Sequence, residues 1–131
     1  MPGRDPGHWL HRLDAGEWLA AAETELRHAE EALGRRATRP GVTHARRAAG
    51  MALNAVLVGA DRPAWGRSYM EHVVALADDA SAPEPVRAAA RMLREAPSQP
   101  PALIQIGKPD LAPLQAASAI VDWARDVISS G

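Results

Sequence analysis

Cysteine is absent from the 131 residues. Disulfides, thiolate zinc sites, iron–sulfur ligation and a cysteine nucleophile are therefore excluded. Phenylalanine is absent as well, and the aromatics amount to four tryptophans and one tyrosine. Sheets draw on β-branched and aromatic residues, which this chain uses sparingly. Lysine occurs once, at Lys108, against 14 arginines, and the formal net charge is −1. No apolar run approaches the roughly 20 residues a membrane-spanning helix needs. The opening segment Met1–His8 lacks the apolar stretch of a signal peptide. The expectation is a cytoplasmic protein with no membrane contact.

What is present points to helices. Alanine occurs 28 times, with 47% hydrophobic and 24% charged residues overall. Alanine is the best helix former and loses no side-chain entropy on folding. The length suits one domain with its own core. The expected fold is all-α, a compact up-and-down bundle of four to five helices. Residues 1–13, with two prolines and two glycines, form an N-terminal arm, and 14–131 form the single helical domain.

The apolar spacing places the helices. Asp14-Ala15-Gly16-Glu17 has the pattern of a capping box. Behind it Trp18, Ala22, Leu26, Ala29 and Leu33 make one stripe, with Glu23, Glu25, Glu30 and Glu31 on the other sides. A basic connector spans 35–43, with Pro40-Gly41 as its turn. A second helix runs from near Thr43 to about Val58, its small face built from Ala45, Ala48, Ala49, Ala52 and Val56. After a loop at 59–66, Ser68–Glu71 has the pattern of a second capping box, opening a short helix with Met70, Val73, Val74 and Ala77 inward. Ser81–Glu84 is read as a third box, before a helix burying Val86, Ala89, Ala90 and Leu93. A proline-rich segment covers 96–109, in which Leu103–Ile106 could form a short strand. Asp110 then caps a last helix with Leu111, Leu114, Ala117, Val121, Ala124 and Ile128 inward.

Motifs that carry chemistry are few. His8 and His11 stand three apart, but no third ligand or HExxH pattern accompanies them. No metal site and no cofactor is expected. Phosphate-loop and dinucleotide glycine patterns are missing, no GxSxG surrounds a serine, and the adjacent Asp78 and Asp79 read as solvated charge. Charge is nevertheless uneven. No acidic residue lies between Glu31 and Asp61, where Arg35, Arg36, Arg39, Arg46 and Arg47 occur. Arginine forks suit phosphate oxygens, which makes these five the candidate contacts for RNA or a nucleotide. The competing expectation pairs them with Glu23, Glu30 and Glu31 or with a second subunit. Arg67 and His72, five positions apart at a helix entrance, are the candidate catalytic pair for metal-independent RNA cleavage. There arginine would stabilise phosphorane charge and histidine would move protons. The bland reading of His72 is a packed, hydrogen-bonded histidine.

The acidic first helix, the alanine-rich run Ala45–Leu57, the segment Tyr69–Leu76 and the closing helix around Ile120–Ala124 together resemble the small bacterial HEPN-like domains. The likeness spans about residues 14 to 128. It implies a helical bundle that commonly dimerises. It also implies kinship with RNA-cleaving toxins, with partners of nucleotidyltransferase-like antitoxins and with members of no established activity. The nuclease members carry an arginine and, after a short spacer, a histidine, as Arg67 and His72 do here. In those members the pair usually lies in a later helix, and Arg94 has no histidine after it.

Two functional expectations follow. The favoured one is a non-catalytic interaction module, homodimeric through Trp18, Trp65, Trp123 and the small-residue second helix, binding a partner protein or a nucleotide. The alternative is a metal-independent ribonuclease toxin acting through Arg67 and His72.

Overall fold

A computed structural model describes residues 13–59, 68–96 and 109–130. Its elements are five helices: α1 (Ala15–Gly34), α2 (Thr38–Gly59), α3 (Tyr69–Ala77), α4 (Glu84–Glu95) and α5 (Ala112–Ser130). The described residues contain no strand, and the all-α bundle expected from composition is the observed fold. The arm before Leu13, Trp65, Arg67 and the Leu103–Ile106 stretch lie outside the described residues.

Helix α1 begins as its sequence dictates. The Glu17 N–H donates to Asp14 Oδ1 (2.8 Å), and the Asp14 N–H donates to Glu17 Oε1 (2.9 Å), so both halves of the capping box are made. Its end differs from expectation. Gly34 is the last helical residue, but the left-handed position falls on Arg36, at φ 64°. The Ala37 N–H reaches back to Ala32 O (2.8 Å) and the Arg36 N–H to Leu33 O (3.0 Å), which is a Schellman closure.

The expected basic connector is thereby corrected. Only residues 35–37 connect, and α2 already starts at Thr38. Pro40 sits in the first turn, where the missing N–H costs nothing. Gly41 is no turn residue: a Cβ there would lie 2.4 Å from Leu33 Cδ2. Its hydrogen lets the start of α2 seat against the end of α1. The short link makes the two helices antiparallel neighbours.

Helix α2 is the axis of the bundle. It touches all four other helices, and every residue from Ala48 to Val56 is buried. A helix apolar on all sides belongs inside, and its small side chains let neighbours approach closely. Helices α3, α4 and α5 pack on one another in chain order, and α5 returns against α2 and α1. Trp18 and the small-residue face of α2, expected to meet a second subunit, are instead part of this core, because α1, α3 and α5 cover them, and Trp123 packs half-buried on its edge.

Two further expectations are corrected. The third capping box does not form, because Asp79 captures Ser81: the Ser81 N–H and Oγ both donate to Asp79 Oδ1, at 2.9 and 2.6 Å. Helix α4 starts instead after Pro83, with no side-chain cap. In α3 the buried positions are His72, Val73, Leu76 and Ala77, while Val74 is 41% exposed and Met70 half-buried. The histidine occupies the core position assigned to its apolar neighbours.

Candidate functional site

The polar groups with functional potential gather between α1 and α2, beside the start of α3, which packs on α2. Glu25 and His28 stand three apart on α1, and His44 and Arg47 three apart on α2. That spacing puts each pair on one helix face. The tight hairpin at Gly41 turns the two faces toward each other.

Glu25 is the centre. It is buried, with 7% of its surface exposed, although the stripe pattern assigned it to the outer side of α1. A buried carboxylate needs partners to offset its lost hydration, and it has them. Arg47 Nε donates to Oε1 at 3.0 Å. His44 Nδ1 lies 2.5 Å from Oε2, and His28 Nδ1 3.6 Å from the same oxygen. The two imidazole rings meet edge to face, centroids 5.1 Å apart. Glu25, His28 and His44 thus present three ligating atoms within 4.8 Å of one another.

Tyr69 borders this cluster. It packs on Gly50, where a Cβ would lie 2.2 Å from Tyr69 Cβ, so only glycine admits α3 this close to α2. Burial pushes the Tyr69 phenol above its usual 10.0; the Arg47 charge pulls it down and the Glu25 charge pushes it up. The chain has no other tyrosine, so its ultraviolet tyrosinate signal reads this residue alone. The midpoint should lie above 10.0 in the native protein and return to about 10 in denaturant. Replacing Arg47 by alanine should move the native midpoint higher still. The sign for stability follows. Above pH ~10 the unfolded chain ionises its phenol while the native one retains the proton, so stability falls as pH rises through the native midpoint.

The five arginines do not form one surface. Arg46 belongs to α4: its Nε donates to Leu93 O (2.9 Å) and its Nη2 to Ala96 O (3.0 Å), with Arg94 O at 3.5 Å. A guanidinium on the last carbonyls of a helix satisfies orphan acceptors and the negative end of the helix dipole. Arg47, its chain neighbour, reaches Glu25 on α1 instead, and α1 and α4 do not touch. Arg35 pairs with Glu31 at 2.7 Å. Arg36 and Arg39 are exposed. Of the expected partners Glu23, Glu30 and Glu31, Glu31 takes Arg35, while Glu23 is bound by Arg125. Arg46→Ala should cost about 1–2 kcal/mol, because it strands buried carbonyls, and Arg46→Lys should recover less than half of that, since an ammonium cannot fork. Urea melts of the three proteins measure both.

His72 sits elsewhere, inside the bundle, with none of its surface exposed. Its Nε2 donates to Asn54 Oδ1 at 2.8 Å; an amide oxygen only accepts, so Nε2 carries the proton. Its proposed partner Arg67 lies outside the described residues, as do His8 and His11.

The histidine spacing that suggests a metal pair in the sequence is that of His8 and His11. A signal for the cluster was present in the E-x-x-H of Glu25–His28 and the H-x-x-R of His44–Arg47. Joining the two requires the register of the hairpin.

No protein-family model, curated protein or solved structure matches this chain. Among the described residues no helix is long and apolar enough to cross a membrane.

Proposed function

We propose that this chain is a non-catalytic helical interaction module of the bacterial cytoplasm, related to the small HEPN-like domains and acting as a homodimer. The observation that carries the reading is the burial of His72. An imidazole with no exposed surface, tied to Asn54, cannot reach the ribose of an RNA strand. Arg46 and Arg47 support the same reading, since the first is spent on the carbonyl end of α4 and the second, at the surface, on the Glu25 carboxylate. Trp123, Val127 and Ile128, half-buried along α5, offer apolar surface for self-association.

The test has two arms. Purified protein incubated with total RNA should leave it intact, and expression should not arrest growth. Light scattering should give twice the 14.0 kDa chain mass at micromolar concentration. RNA cleavage that disappears in Arg67→Ala would establish the ribonuclease toxin instead, and co-purification of a nucleotidyltransferase-like antitoxin would point the same way. A monomer mass would remove the dimer.

A further inference from the structure

We propose that Glu25, His28 and His44 bind one divalent transition-metal ion, with Zn²⁺ the ion of choice. The first ground is the donor set. Two imidazoles and one carboxylate are a ligand combination of zinc sites that keep a fourth position open. Imidazole donors favour zinc and its neighbours in the first transition row, whereas magnesium and calcium take oxygen ligands.

The second ground is convergence. A tetrahedral ion with ligands at ~2.0–2.1 Å holds donor atoms roughly 3.3 Å from one another. The separations here are 2.5 Å for His44 Nδ1 and 3.6 Å for His28 Nδ1 from Glu25 Oε2, and no ligating pair exceeds 4.8 Å. These values bracket the tetrahedral one. Side-chain rotation alone can close the difference, because the His28 and His44 side chains are 53% and 30% exposed and free to adjust.

The third ground is the division of labour on Glu25. Arg47 holds Oε1 at 3.0 Å and leaves Oε2 facing both histidines. A partner on the far oxygen fixes the carboxylate's orientation as second-sphere groups do in metal sites. The Arg47 charge also opposes a cation, so the site should bind more weakly than a structural zinc site buried in apolar surroundings. Without metal His28 is only the outermost partner of Glu25, in ion-pair but not hydrogen-bonding range. At 3.6 Å its Nδ1 is beyond hydrogen-bonding distance of Glu25, and its side chain is half in water. In the metal site His28 is the solvent-side ligand, and the open fourth position beside it takes water.

The experiment titrates full-length protein with ZnCl₂ by calorimetry and with CoCl₂ by visible absorption. Four proteins are compared: wild type, His28→Ala, His44→Ala and the double variant His8→Ala/His11→Ala. The expected result is one Zn²⁺ per chain, a tetrahedral Co²⁺ ligand-field spectrum and a raised melting temperature. His28→Ala and His44→Ala should each weaken binding by at least about tenfold, and the His8/His11 double variant should bind as wild type does. The exposure of His28 means that its alanine variant folds, so the test stands even if His44→Ala does not. Absence of saturable binding overturns the proposal. So does binding that survives in His28→Ala, or binding lost only with His8 and His11.

Discussion

Gly50→Ala is expected to destabilise the protein by about 2–3 kcal/mol, lowering the melting temperature by roughly 10 °C. In most helices the change would stabilise, since alanine exceeds glycine in helix propensity by about 1 kcal/mol. Here the new Cβ would stand 2.2 Å from Tyr69 Cβ and 2.7 Å from Tyr69 Cα. The second of these is backbone, so no rotamer change relieves the clash. Helix α3 must back away from α2, and Tyr69 leaves its place beside Arg47 and Glu25. Gly59→Ala supplies the control. Among the described residues nothing lies within 4 Å of its added Cβ, so the propensity term dominates and the variant should be neutral or slightly more stable. Paired thermal melts decide the matter. Equal melting temperatures for the two variants would mean that α3 does not pack as closely as described.

Much of this architecture is legible before folding is considered. Trp18, Ala22, Ala29 and Leu33 recur at helical spacing, as do Val86, Ala89, Ala90 and Leu93, and both sets are buried. Periodicity works there because each helix has one core-facing side. It fails in α3, where nine residues give too few turns to separate Val74 from His72, and the face is set by what α2 offers. Pro40-Gly41 misleads for a different reason. The pair has turn chemistry, yet proline is tolerated in a helix's first turn and Gly41 is needed for its missing side chain. Ser81 misleads because its N–H and hydroxyl both donate to Asp79 Oδ1, which ties it into the turn before the helix, and α4 starts after Pro83 instead.

The candidate site was harder to see for one physical cause. Glu25 is buried by partners 19 and 22 residues away on another helix, His44 and Arg47. A carboxylate among alanines reads as solvated until the helix that covers it is placed. The arginine-rich stretch misleads in the converse way. Five like charges in sequence suggest one basic surface, but Arg46 and Arg47 stand about 100° apart around α2. They are drawn to opposite neighbours, one to the carbonyl end of α4 and one to a carboxylate on α1.

The largest effect is expected at the buried pair His72–Asn54. His72→Ala should cost about 3–5 kcal/mol, combining the cavity left by the ring with the stranding of Asn54 Oδ1. Asn54 Nδ2 is buried with no hydrogen-bond partner among the described residues, so losing the imidazole takes away the amide's one described bond. Removing both partners is a different matter. With His72→Leu and Asn54→Leu together, no polar group from the pair remains, and apolar side chains fill the space. The double variant should therefore be more stable than the sum of the two single leucine changes predicts, by about 1–3 kcal/mol of coupling. Urea denaturation of the four proteins in this cycle gives the number, and additive single effects would mean that the hydrogen bond contributes nothing. The same double variant also separates fold from chemistry. It lacks the only histidine proposed for RNA cleavage while retaining a packed core. Its dimer mass and its inertness toward RNA should match those of the wild type. A loss of RNA cleavage in this variant would instead assign the buried imidazole a catalytic role.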